Sequence, residues 1–93
     1  MKISYDPKKN ARNIAERGLS FDVAQAFEWE FAIIWQDTRR DYGEERFIAL
    51  GRIGQRVHSL VFTHRSETAH IISLRKANRR EIRRYEAEAQ EKT

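Results

Sequence analysis

The sequence predicts an α+β fold: an antiparallel sheet of four to five strands, two N-terminal helices and a C-terminal helix. Three observations predict it. Between residues 31 and 76 the chain runs through β-branched and aromatic stretches separated by short polar turns, the pattern of an antiparallel meander. Helix-start signals flank this region, Asp6-Pro7 before it and Asn78 with Glu81 after it. Apolar residues at helical spacing follow both signals. No repeat or linker divides the chain, so residues 1–93 read as a single domain.

Taken in order, Lys2 to Tyr5 is extended in character and reads as an edge strand. Asp6 can act as N-cap, with Pro7 at the first helical position, where its missing N–H costs nothing. Ala11, Ile14 and Ala15 form an i, i+3, i+4 stripe, and Gly18 is placed to end the helix in a left-handed turn. Ser20 can cap a second short helix, with Asp22 near its positive end and Val23, Ala24 and Phe27 facing inward. Phe31 to Trp35 is a strand by composition, and Asp37 to Glu44 is a polar loop containing Gly43. Arg46–Ile53 and Arg56–Arg65 are two more strands joined by a tight turn at Gly54-Gln55. A polar turn at Arg65 to Thr68 leads to the strand 69–76. Asn78 and Glu81 then form a capping box, and Ile82, Tyr85 and Ala89 make the inward stripe of the last helix. Residues 86–93 are polar, and the last few are expected to fray.

Composition narrows the function classes. The chain is 40% hydrophobic and 11% aromatic, which argues against disorder despite 34% charged residues. It has no apolar run of membrane-spanning length, and its N-terminus lacks a secretion signal, so cytoplasmic residence is the simplest expectation. Without cysteine there is no disulfide framework, thiolate zinc site or thiol nucleophile. The net charge of +4 is uneven: residues 1–37 hold five Lys or Arg against six Asp or Glu, leaving thirteen against eight for residues 38–93. A basic C-terminal half favours an anionic partner, nucleic acid first.

The chemistry-bearing residues concentrate where the last strand meets the last helix. Residues 75–84 carry six Arg or Lys against one Glu. Alternation places Ser59, Thr63 and Arg65 on one face of their strand, and Ser73 and Arg75 on one face of the next. Arginine suits phosphate because its planar fork donates two hydrogen bonds and keeps its charge. Arg79, Arg80, Arg83 and Arg84 give the helix a basic stripe, either solvated or in contact with an RNA backbone. Tyr85 reads as core by helical spacing, with a groove-edge role as the alternative. His58, His64 and His70 lack metal-ligand spacing, so no metal site or cofactor is expected. His64 and Glu45 are weak candidates for a general base. A non-catalytic nucleic-acid- or partner-binding module using the basic strand–helix corner is the alternative to an enzyme.

The residues also resemble a known family, the BrnT toxins of bacterial type II toxin–antitoxin systems, within the broader RelE-like ribonuclease group. The resemblance rests on Tyr5-Asp6-Pro7 with Lys9 and Asn13, on Gly18-Leu19-Ser20-Phe21 with Ala24, and on Arg46 before a Gly-containing strand. Its most specific block is Ile71-Ile72-Ser73 with Arg75-Lys76-Ala77, Glu81 and Tyr85. The sequence departs from the pattern at Tyr5, where Trp is usual, at Arg17, where His is common, and at Leu74, which replaces a small residue. The resemblance implies a RelE-like fold and a metal-independent endoribonuclease that cleaves mRNA and inhibits translation and growth. It implies Arg46, Arg65, Arg75, Lys76 and Tyr85 as catalytic candidates. It further implies an RNA substrate and a BrnA-like ribbon-helix-helix antitoxin, through which promoter DNA is bound, with oligomers only as the toxin–antitoxin complex.

Overall fold

The computed structural model describes residues 1–91, with side chains described through residue 89. The expected fraying of the last few residues lies outside these. Five strands form one sheet: β1 (Lys2–Tyr5), β2 (Ile33–Gln36), β3 (Phe47–Ile53), β4 (Arg56–Arg65) and β5 (Thr68–Lys76), in the order β1-β5-β4-β3-β2. Helix α1 (Pro7–Arg17) precedes β2, and α2 (Arg79–Glu91) follows β5. The α+β class and the β2–β5 meander are as the sequence predicts. The sheet, however, is mixed and not antiparallel, because β1 runs parallel to β5, pairing Lys2 with Thr68 and Tyr5 with Ile71. Two residues 66 apart give no local signal of such pairing.

The caps follow the sequence closely. Asp6 accepts the Lys8 N–H at 2.9 Å, and Gly18 ends α1 with φ of 69°. Asn78 Oδ1 accepts the Glu81 N–H at 2.9 Å while Glu81 Oε1 accepts the Asn78 N–H at 2.9 Å, a reciprocal capping box. The β3–β4 turn at Gly54-Gln55 takes positive φ at Gly54.

Two expectations need correction. The second N-terminal helix is not α-helical: Phe21–Ala26 and Trp29–Phe31 are 3₁₀ turns, and the latter includes Phe31, which the sequence placed in a strand. Phe21, Ala24 and Phe27 are the buried residues there, and a spacing of three is the 3₁₀ period. The α1 stripe also points the wrong way: Ala11, Ile14 and Ala15 are exposed. The helix docks through amides instead. Asn13 donates to the carbonyls of Leu19 (2.9 Å) and Leu74 (3.0 Å), and Asn10 accepts the Phe21 N–H at 2.7 Å.

The sheet buries both faces. The first face packs Ala49, Leu60, Phe62, Ile71 and Leu74 against Phe21, Ala24 and Phe27. Gly51 is required there, since a Cβ on it would sit 2.6 Å from Phe27 Cζ. On the second face α2 covers Ile33, Leu50 and Val57 with Tyr85 and Ile82. A bulge leaves Ile72 unpaired, as Val61 pairs with Ser73 but Phe62 with Ile71, so Leu74 and Ile71 both reach the first core. None of the helices among the described residues is long and apolar enough to cross a membrane.

Candidate active site

Beyond the edge of α2 the second face of the sheet stays open. Register places Trp35, Ile48, Val61 and Ser73 in one row across β2, β3, β4 and β5. The adjoining row ends with Ser59 opposite Arg75. With Arg39 and Glu81, these side chains line a cavity of about 320 Å³. Its floor sets the Ser59 and Ser73 hydroxyls beside Ile48 and Val61 across β3, β4 and β5, and two guanidiniums and one carboxylate complete the lining. Arg84 stacks 4.0 Å from the centroid of the Trp35 ring, which fixes the indole at the wall.

Each rim arginine is held by its own carboxylate. Arg75 donates to both oxygens of Glu81 at 2.8 and 2.9 Å. This bond is the chief reason the Arg75 pKa is raised and that of Glu81 lowered, and the field of Arg39 acts on Arg75 in the opposite sense. Arg39 grips Asp37 with two bonds of 2.8 Å, and the Tyr42 hydroxyl donates to the same carboxylate at 2.9 Å. The Arg39 bonds hold Asp37 far below the usual carboxylate range. The Asp37 side chain is 2% exposed whereas that of Arg39 is 71% exposed, so the fork is fixed at its root and open to a ligand. Two charged, pre-oriented forks beside one cavity can hold a phosphate and offset charge developing on it.

A second cationic group lies further along the same face. Arg46 stacks on Tyr42 at 4.2 Å and pairs with Glu44 at 3.3 Å, while Arg65 reaches Glu44 at 3.9 Å. His70, opposite Thr63, shares a hydrogen bond of 2.9 Å with Ser4. Burial first, and the charge of Arg65 second, lower the His70 pKa.

The predicted site residues therefore divide. Ser59, Ser73 and Arg75 do come together, whereas Arg65 stands six residues along β4 from Ser59, about 20 Å at strand rise. Arg46, Arg65 and Arg75 thus do not share one phosphate. Lys76 falls on the opposite face from Arg75 by alternation, pairing with His58. Tyr85 is 4% exposed inside the second core, so it is core and not groove edge. His64 packs edge-on against Phe47 and Phe62 on the first face, away from the cavity. Glu45 contributes its backbone carbonyl, which accepts from Thr63 Oγ1 at 2.6 Å. Arg79, Arg80 and Arg83 are exposed on α2, and Arg84 is committed to Trp35 and to Glu88 at 3.6 Å. Among the described residues no three metal-ligating side chains come together.

Sequence reasoning missed Arg39 and Trp35. Arg39 sat in a stretch read only as polar loop, though Asp37 two residues earlier is the kind of partner that orders a guanidinium. Trp35 reads from composition only as a strand residue, although alternation with Ile33 sets it on the face that α2 covers.

Comparison with known proteins adds a family to this geometry. The model of the family described as "Ribonuclease toxin, BrnT, of type II toxin-antitoxin system" matches residues 5–81. Among solved structures, the chain is similar to the 1.1 Å crystal structure of the Brucella abortus ribonuclease toxin BrnT. The identity is 32% and the TM-score 0.64, over 85% of this chain and 99% of that one. Comparison with curated proteins gives no match.

Proposed function

Because the chain belongs to the BrnT family of ribonuclease toxins of type II toxin–antitoxin systems, we propose that it is a metal-independent endoribonuclease acting on mRNA at the open sheet face. The observation that supports this reading is the pair of carboxylate-fixed guanidiniums, Arg75 and Arg39, at one cavity. The ribose 2′-hydroxyl attacks the adjacent phosphorus, the bond to the 5′-oxygen breaks, and a cyclic phosphate and a 5′-hydroxyl result. Arg75 and Arg39 offset the charge that builds on the non-bridging oxygens. Glu81 is the carboxylate at the cavity, but its pairing with Arg75 makes it a weak base, so electrostatics carries the larger share. Arg46 and Arg65 hold RNA backbone further along the face, and accessible single strands are favoured because their 2′-hydroxyl can line up for attack. In this reading the toxin works in the cytoplasm and shares the RelE-like ancestry. A BrnA-like ribbon-helix-helix antitoxin covers the cationic face and binds promoter DNA for the complex.

Growth after induced expression tests this, comparing wild type with Arg39→Ala/Arg75→Ala at equal folded protein, alongside RNA cleavage in the presence of a chelator. Arrest and chelator-resistant cleavage, both relieved by the double change, are expected. Unimpaired growth with abundant soluble wild-type chain would sink the enzyme. The second reading, a binding module without chemistry, draws on the separation of Arg65 from Arg75, and it predicts RNA retention without cleavage.

A further inference from the structure

The cavity is larger than a phosphate needs, and Trp35, Ile48 and Val61 give part of its lining an apolar character. A phosphate is satisfied by Arg39 and Arg75 alone, and it gains nothing from Ile48 and Val61 or from an indole wall. A planar heterocycle with polar edges uses all of these. Its ring lies on Ile48 and Val61 beside Trp35, and its edge meets the Arg75–Glu81 pair. From this we infer that the cavity is a nucleobase pocket that selects guanine, which deepens the ribonuclease reading above and rests on it for the substrate class.

The choice of base follows from donors and acceptors. Arg75 spends one N–H of each terminal nitrogen on Glu81 and the second N–H of Nη1 on the Lys76 carbonyl at 3.4 Å, which leaves Nε–H and one N–H of Nη2 side by side as donors. Glu81 receives two bonds from Arg75 and one from the Asn78 N–H, out of about four lone-pair sites, so it can accept once more. The pocket edge thus offers an arginine donor beside a carboxylate acceptor. Guanine presents the complement, with O6 and N7 as acceptors and the N1–H and amino group as donors on the next edge. Uracil also sets a carbonyl beside a ring N–H, but it lacks the second acceptor, guanine N7, which the remaining Arg75 donors can meet together with O6. Cytosine and adenine offer an amine but no carbonyl beside a ring N–H. Arg39, with its guanidinium out in solvent, is left for the phosphate of the same nucleotide.

The test titrates the purified chain with the four nucleoside 3′-monophosphates and with inorganic phosphate, following the indole N–H signals by NMR. Trp29 serves as internal control, since it packs against Phe27 and Phe62 on the other face. Guanosine monophosphate should move the Trp35 signal, leave that of Trp29, and bind about ten-fold more tightly than the pyrimidine nucleotides. Val61→Phe should fill the floor and remove that preference while inorganic phosphate binds as before. Glu81→Gln, which keeps the volume, should erase the preference for guanine over adenine. Equal affinity for all four nucleotides and inorganic phosphate overturns the pocket, as does a Val61→Phe chain that binds like wild type with its Trp29 signal intact. Cleavage is not needed for this readout. A chain that discriminates bases but cuts no RNA keeps the pocket and loses the nuclease, whereas one that cuts RNA without discriminating loses only the pocket.

Discussion

The buried amide of Asn13 donates to the carbonyl of Leu74 at 3.0 Å, tying α1 to the strand position immediately before Arg75. The same amide also donates to the Leu19 carbonyl at 2.9 Å. Asn13→Leu leaves both acceptors without that donor, and a buried group stripped of its partner costs about 1–3 kcal/mol. A free energy of unfolding in urea lowered by that amount is the expected outcome, and an unchanged value would show the clamp to be idle.

Glu81 closes the capping box of α2 and orients the Arg75 fork at once. Glu81→Ala should lose about 1 kcal/mol of stability through the cap alone. Its larger effect should fall on RNA cleavage, because Arg75 then swings free of its fixed geometry. Asn78→Ala supplies the contrast: it loses the cap with the Arg75–Glu81 pair retained, so stability should fall while cleavage per folded molecule changes little.

Acid should weaken the fold in two stages. His58 and His70 both have lowered pKa values, with burial the leading cause. Below about pH 6.5 the unfolded chain takes up protons at these positions before the folded one does, so stability falls as pH drops from there toward the folded values. Glu81 and Asp37 are lowered by Arg75 and Arg39, so their contribution is present above about pH 4 and is lost as pH falls further. Unfolding midpoints from pH 7.5 to 3 should trace both stages. His70→Asn should shrink the first stage, leaving the share of His58, and should not change the second.

Two backbone positions give opposite signs. Gly51→Ala forces a methyl against the Phe27 ring and should cost about 1–3 kcal/mol. Ser66 holds φ of 57°, the left-handed region that a side chain disfavours by about 1–2 kcal/mol, so Ser66→Gly should raise the thermal midpoint. Calorimetry on the two variants checks both.

What could be read from the sequence was what local physics decides. Asp6, Ser20, Asn78 and Glu81 cap their elements as their side chains dictate, Gly18 does so through its left-handed backbone, and alternation through β4 groups Ser59 with Thr63 and Arg65 on one face. What stayed hidden depends on distant partners. Asn10 and Asn13 look like surface residues until Phe21 and Leu74 arrive to use their amides. The split of Arg65 from Arg75 follows from how far β4 extends past Ser59, and the proximity of Arg39 to Arg75 follows from how a loop folds back. Neither is encoded in spacing.

The parallel pairing of β1 with β5 has a consequence for the order of assembly. The β2–β5 meander joins neighbours in sequence, whereas Lys2 to Tyr5 must wait for residues 68–71. Closing that long loop is entropically the slowest of the pairings, so β1 is the last strand to be seated. Until then α1 is not held against β5 by the strand that precedes it, and the Asn13 brace on the segment leading into Arg75 is not secured. The cationic face is therefore braced from the side of α1 only at the last step of sheet assembly.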